Sequence, residues 1–322
     1  MSSQTLQALV HTMRCEADGI VSVEFRPATA AEKFPDFEAG SHIDLHLPNG
    51  LVRSYSLCNP SSDSQRYVVG VLNDRKSRGG SRYVHQQLRV GSTLPISSPR
   101  NNFQLDENAQ RSVLVAGGIG VTPIWSMLQR LTAIGRSVEL VYCARSRKEA
   151  AFCDGIEALA REHSVPVTWH FDDQVGAPPD LTALLANKGD NSHYYCCGPT
   201  PMLDAFERSC EQLGYANVHI ERFAAVHVPA PSATQSYVVE CAKSGKSIEV
   251  PPGKTILDSL IDAGLKPDHS CKEGVCGACE IAVIEGEVEH LDGILTKAER
   301  ESNKTMMICV SRAKSQRLVL DI

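Results

Sequence analysis

The sequence has 322 residues, 42% of them hydrophobic and 22% charged, with a formal net charge of −6. That length is too great for one ordinary core and fits two or three domains of a soluble globular protein. The negative balance argues against nucleic acid as the main partner, and no run approaches the roughly 18 to 20 apolar residues of a membrane span.

The start, MSSQTLQALVHTMRCEADG, has no basic segment followed by an apolar core and a small-residue cleavage site, so a cytoplasmic location is expected. Residues 1–106 read as all-β. Short alternating runs such as HIDLHLP and RYVVGVL are separated by turn residues, with one helical pattern, YVHQQL, at 83–88. Residues 107–226 alternate strand and helix: SVLVAGG, PIWSMLQRLTAIG, SVELVYCA, KEAAFCDGIEALAREH, HYYCCG and PMLDAFERSCEQLG. This rhythm predicts a doubly wound α/β sheet. Residues 227–235, HVPAPSATQ, read as a linker. Residues 236–322 open with a hairpin pattern around Gly245.

Twelve cysteines are present. In a reducing compartment they are not expected to form a disulfide framework. Cys15, Cys143, Cys153, Cys210 and Cys241 are read as small buried hydrophobes. Cys271, Cys276, Cys279 and Cys309 need another account. They follow C-x4-C-x2-C, with the fourth cysteine 30 positions further on. Gly274, Gly277 and Ala278 leave room for a loop to wrap three thiolates inward. Zinc is the rival, but zinc ribbons usually pair two short Cys-x2–4-Cys knuckles, whereas three of these cysteines share one loop. The x4, x2 spacing is that of plant-type [2Fe–2S] ligation. The block 236–322 resembles a plant-type ferredoxin domain, including PPGKTILDSLIDAG before the loop and MMICVSRA around Cys309.

Two further loops follow strands. Ala116-Gly117-Gly118-Ile119-Gly120-Val121-Thr122-Pro123 opens a helix, where glycines let backbone approach a pyrophosphate. Tyr195-Cys196-Cys197-Gly198-Pro199-Thr200-Pro201-Met202 does the same at a later strand. Loops at the carboxyl ends of neighbouring strands face one crevice. Together they resemble the pyridine-nucleotide half of the ferredoxin–NADP reductase superfamily. The resemblance implies NAD contacts from Gly117, Gly118, Gly120, Thr122, Pro123, Cys197, Gly198, Pro199 and Met202. It places Cys197 beside the nicotinamide, with Cys196 facing the core.

Arg53-Ser54-Tyr55-Ser56-Leu57 resembles the Arg-x-Tyr-Ser flavin motif of the same superfamily. Arg suits a phosphate, Tyr can stack on a planar ring and a Ser hydroxyl can bond to a ring edge. The backbone of Gly79, Gly80 and Ser81 is expected to cradle the flavin phosphate. By resemblance, Gly70, Val71, Leu72, Thr122 and Phe223 also touch FMN.

In order, these motifs make the whole chain similar to phthalate dioxygenase reductase and its relatives, the class IA oxygenase reductases. The resemblance implies an antiparallel β-barrel flavin domain, an α/β nucleotide domain and a β-grasp ferredoxin-like domain. It implies FMN, NADH and a [2Fe–2S] cluster as cofactors, and a separate terminal Rieske-type oxygenase as acceptor. A general carrier serving several acceptors is the alternative, and a zinc-stabilised dehydrogenase a further one. The hydride path is expected to be lined by Ser56 and Cys197 with no acid–base group, and His85, His269 and His290 are read as surface or packing residues. The basic stretch Ala144-Arg145-Ser146-Arg147 suits a 2′-phosphate, whereas Asp172 and Asp173 suit a free ribose; the family resemblance favours NADH.

Overall fold

In a computed structural model, residues 5–29, 32–75, 77–189, 191–223 and 236–322 are described. The expected linker 227–235 lies outside them. The chain divides into two compact units, Ser3–Glu221 and Arg222–Ile322.

The larger unit begins with six strands, β1 (Thr5–Ala17), β2 (Ile20–Pro27), β3 (His42–His46), β4 (Val52–Ser56), β5 (Tyr67–Leu72) and β6 (Thr93–Ser97), with α1 (Gly80–Gln86) after β5. They form one antiparallel sheet in the order β4-β3-β6-β1-β2-β5. The bridge from Leu57 to Val69 brings the two edges together, so the sheet curls into a barrel. Val10, Val23, Phe25, Ile43, Leu45 and Tyr67 fill it. Helix α1 begins three residues earlier than YVHQQL suggests, at Gly80, because Gly79 takes a φ of 102° and turns the chain into it.

The α/β part comprises β7 (Arg111–Gly117), α2 (Val121–Ala133), β8 (Ser137–Ala144), α3 (Cys153–His163), β9 (Val167–Phe171), α4 (Asp172–Val175), α5 (Leu181–Leu185), β10 (His193–Cys197), α6 (Thr200–Leu213) and β11 (Asn217–Glu221). Its strands are parallel in the order β11-β10-β7-β8-β9. The order reverses between β7 and β10, so the loops after these two strands share the crevice where doubly wound sheets bind ligands. Helix α3 is shorter than its sequence pattern. Phe152 takes a φ of 61°, and the helix starts only at Cys153. The Phe152 ring instead reaches β5, where its Cζ lies 3.4 Å from the position a Cβ on Gly70 would take.

The second unit holds β12 (Tyr237–Cys241), β13 (Lys246–Val250), α7 (Ile256–Asp262), β14 (Glu280–Glu285), β15 (Val288–Glu289), α8 (Lys297–Ser302), β16 (Thr305–Met307), β17 (Arg312–Ala313) and β18 (Arg317–Leu320). The β12–β13 hairpin turns at Gly245, whose φ is 66°. Its main sheet runs β13-β12-β18-β14-β16, with β12 and β18 parallel. Leu257 and Leu260 of α7 pack on Val239, Leu318 and Leu320 in one core, the β-grasp arrangement of one helix on a mixed sheet.

Candidate functional site

The flavin-motif residues converge, but not all of their side chains are available. On β4 the side chains alternate. Ser54 lies beside its cross-strand partner Asp44 and donates to its Oδ1 at 2.6 Å, so its hydroxyl is already engaged. Arg53 points the other way and lies across the start of α1. A Cβ at Gly80 would fall 2.5 Å from Arg53 Cγ and 2.9 Å from its Nε. Only glycine lets the guanidinium approach these backbone amides, and that pairing fits a phosphate. Tyr55 is half-buried, and burial pushes its hydroxyl up to about 12. Val71 is sealed in the barrel core and its carbonyl is bonded by His85 Nε2 at 2.9 Å. Gly70 serves close packing, since a Cβ there would meet Thr122 Cγ2 at 2.6 Å. Thr122 is itself buried and donates its hydroxyl to the Ile119 carbonyl at 3.0 Å. Leu72 is half-buried against the nucleotide-domain core, and Phe223, on the second unit, is 41% exposed.

The two nucleotide loops are packed backbone to backbone. A Cβ on Gly120 would sit 2.2 Å from the Cys197 carbonyl oxygen, and one on Gly117 would sit 2.4 Å from Met202 Sδ. A Cβ on Gly117 would also lie 3.2 Å from Gly198 Cα. These glycines and Met202 therefore serve the contact between loops, and Pro123 is buried beneath them. Gly118 differs, with a φ of 54° and open space around its Cβ position. Gly118, Gly198 and Pro199 form the accessible rim. Cys196 and Cys197 are both fully buried, on opposite faces of β10 and in different cores.

Sequence reasoning missed Glu221. Parallel pairing sets it directly beside Cys197. Its Oε2 lies 3.3 Å from Ser56 Oγ and 3.9 Å from Cys197 Sγ. Burial raises its pKa from 4.5 to about 8. The residues expected to line the hydride path thus enclose an acid–base group that the sequence reading did not name. The available signal was its place at the end of an edge strand, in register with the Cys-Gly-Pro segment. The raised value carries a sign. The fold favours neutral Glu221 over the ionised form, so its contribution is complete below pH 4.5 and lost as pH rises towards 8. At about 1.4 kcal/mol per pKa unit, the loss is on the order of a few kcal/mol. Glu221→Gln should flatten this slope when urea unfolding is followed from pH 5 to 9; an unchanged slope would assign it to another group.

In the second unit the cysteine loop winds through positive φ at Lys272, Gly274 and Gly277. Cys276, Cys279 and Cys309 are buried and Cys271 is half-buried. The thiols interact as two pairs, Cys271 with Cys276 and Cys279 with Cys309. Among the described residues, no three potential ligands converge as one metal ion would require. Two thiolate pairs would suit the four-thiolate ligation of a two-iron cluster. The backbone is aligned for anionic sulfur. Glu273 N–H donates to Cys271 Sγ at 3.3 Å and Cys271 N–H to Cys276 Sγ at 3.5 Å. The Cys276 thiol, with the Val275 and Glu273 N–H groups, holds Cys271 down, to about 7. Of the scattered cysteines, Cys143, Cys153, Cys210 and Cys241 are buried as expected; Cys15 is exposed, because it lies on an outer face near the β1–β2 turn.

Comparison with known proteins agrees with this geometry. A 2Fe-2S iron-sulfur cluster binding domain matches residues 239–314, and an oxidoreductase NAD-binding domain matches residues 114–208. Phenoxybenzoate dioxygenase subunit beta of Ectopseudomonas oleovorans is 45% identical over 97% of this chain and 96% of its own length. The crystal structure of phthalate dioxygenase reductase is 36% identical, with a TM-score of 0.71, covering 99% of this chain and 98% of that one. An intact type IV self-sufficient cytochrome P450 monooxygenase is 38% identical with a TM-score of 0.90, and this chain spans 41% of its length. The chain is a multidomain NAD-dependent iron–sulfur flavoprotein reductase. It belongs to the phthalate dioxygenase reductase family, whose members include reductase components of demethylase and monooxygenase systems, and its cofactors are FMN, NADH and a [2Fe–2S] cluster. No helix among the described residues is long and apolar enough to cross a membrane.

Proposed function

We propose that this reductase serves a terminal Rieske-type oxygenase or demethylase as a dedicated component. We also assign three domains, 1–106, 107–226 and 236–322, the last carrying the ligands Cys271, Cys276, Cys279 and Cys309. The observation that carries the reading is the separation of two kinds of site: a nucleotide crevice beside Ser56, Cys197 and Glu221 in one unit, and two thiolate pairs in the other. FMN accepts two electrons as hydride and releases them singly, which couples NADH to a one-electron cluster.

The residues have distinct tasks in this scheme. Arg53 and the amides of Gly79–Ser81 hold the flavin phosphate. Ser56 addresses the ring edge where hydride arrives. Gly118, Gly198 and Pro199 present backbone to the dinucleotide, while Gly117, Gly120 and Met202 keep the two loops in register. Cys197, whose thiol burial pushes well up, fills space and orients the ring. Glu221 Oε2 holds a proton beside Ser56 Oγ. His85 and His269 bond backbone carbonyls and need no catalytic role.

The coenzyme reading has its own support. Arg145 is paired with Glu149 at 2.8 Å, and Arg147 with Glu157 at 2.8 Å. Both guanidiniums are thereby drawn from a 2′-phosphate. Asp173 N–H bonds the Arg145 carbonyl at 3.0 Å, which brings the Asp172–Asp173 turn beside the β8 end where a ribose would lie. The kcat/KM for NADH should exceed that for NADPH, and a higher value with NADPH would reverse the assignment.

The partner test is direct. The protein is reduced with NADH and titrated with candidate oxygenases. One acceptor should support turnover far better than the rest; equal turnover with many would favour a general carrier.

A further inference from the structure

Asp292 is not a cluster ligand, yet it is wholly buried behind the cluster loop. Its side chain has no exposed surface. Oδ2 accepts from Ile294 N–H at 3.1 Å and Leu295 N–H at 2.8 Å, and Oδ1 from the Ser311 hydroxyl at 3.4 Å. Ser311 Oγ in turn accepts from Leu291 N–H at 3.2 Å. The carboxylate thus ties 291–295 to the segment after Cys309. Arg300 closes the back, donating from Nη2 to the Asp292 carbonyl at 2.6 Å.

This bracket has one outlet towards the cysteines. Gly293 N–H, the next residue, donates to the Gly274 carbonyl at 2.9 Å. Gly274 has a φ of 69°, and a Cβ there would meet Val310 Cγ2 at 2.6 Å and Asp292 Cα at 3.1 Å. Gly274 is therefore wedged between two walls with its carbonyl anchored. The residue before it, Glu273, donates its N–H to Cys271 Sγ at 3.3 Å.

We propose that Asp292, with Ser311, is a positioning residue that sets the reduction potential of the cluster by holding the Gly274 turn, and with it the Glu273 N–H on the Cys271 sulfur. This rests on the reading of the four cysteines as ligands. Reduction adds negative charge to the cluster, and an N–H donated to sulfur stabilises the reduced form. Slackening the bracket lowers the potential. Removing the carboxylate charge acts in the opposite direction, so the two effects separate by sign. Asn at 292 keeps an oxygen for the Ile294 and Leu295 amides and offers Nδ2 to Ser311, but carries no charge. Ala lacks both bracket and charge.

The experiment is an EPR-monitored redox titration of the full-length holoprotein and its Asp292→Asn, Asp292→Ala and Ser311→Ala variants, with iron and sulfide measured on each. The cluster in Asp292→Ala should have a lower midpoint potential than in Asp292→Asn, with an altered g-tensor. Ser311→Ala, which leaves every charge in place, should lie below the parent. Equal potentials for the two Asp292 variants, or an unmoved Ser311→Ala, with two irons retained, would overturn the proposal. Should Asp292→Ala fail to hold iron, Ser311→Ala decides alone. A parent protein without two irons would instead sink the ligand assignment itself.

Discussion

Cys276→Ala should abolish electron delivery while sparing hydride uptake. Cys276 is buried and pairs with Cys271, so its loss leaves one iron with a single protein thiolate. Losing an outer-shell partner of a metal site typically costs about 10–100-fold. Losing a ligand itself should exceed that and reduce iron content as well. Every residue assigned to the nucleotide and to the flavin phosphate lies in Ser3–Glu221, whereas Cys276 lies in Arg222–Ile322. Stopped-flow bleaching of the flavin by NADH should therefore match the parent rate. Acceptor reduction should fall to background in the same preparation. A parallel loss of flavin bleaching would show that the two units do not load and discharge separately.

What could be read from the sequence was local. C-x4-C-x2-C is a local geometric statement, because three ligands on one loop are constrained by their spacing alone. The strand–loop–helix character of the two nucleotide loops is local too. What escaped depends on which strands become neighbours. The sequence brings the two loops to one crevice but cannot show how tightly they pack on each other, so glycines that serve loop-to-loop contact look identical to glycines left open for a ligand. Gly120 belongs to the first kind and Gly118 to the second. Glu221 escaped for the same reason. Nothing in Glu-Arg-Phe marks a half-buried acid with a raised pKa until β11 pairs with β10 and sets it against Cys197. The late start of α3 is also a tertiary effect, since Phe152 leaves the helical pattern to pack on β5. Ser54 shows the converse limit: its motif was legible, but its hydroxyl answers to Asp44, a partner ten residues away on the neighbouring strand.

The distinction between the two glycines can be tested by adding one methyl group. Gly120 already has a φ of −60°, so alanine meets no backbone strain there. Its Cβ, however, would lie 2.2 Å from the Cys197 carbonyl oxygen and 2.4 Å from its carbon. Neither neighbour is a flexible side-chain tip, so the loops themselves must separate by more than an ångström to reach ordinary contact. Overpacking of this kind costs roughly 1–3 kcal/mol. The functional loss should be larger than the stability loss. Cys197 and Gly198 lie where the nicotinamide is assigned, and a misplacement of about 1 Å can cost on the order of 100-fold in rate. Gly120→Ala should therefore reduce the rate of flavin reduction by NADH by about that factor, while the iron–sulfur spectrum stays intact. Gly118→Ala makes the opposite comparison. Its methyl meets open space, and only the left-handed backbone opposes it, at roughly 1–2 kcal/mol. If Gly118 presents backbone to the dinucleotide, this variant should weaken NADH binding, seen as a raised KM, with the bound complex still transferring hydride. Flavin reduction at saturating NADH separates the two glycines. It should recover in Gly118→Ala and remain slow in Gly120→Ala, because added ligand can compensate for weaker binding but cannot close loops held apart by a buried methyl.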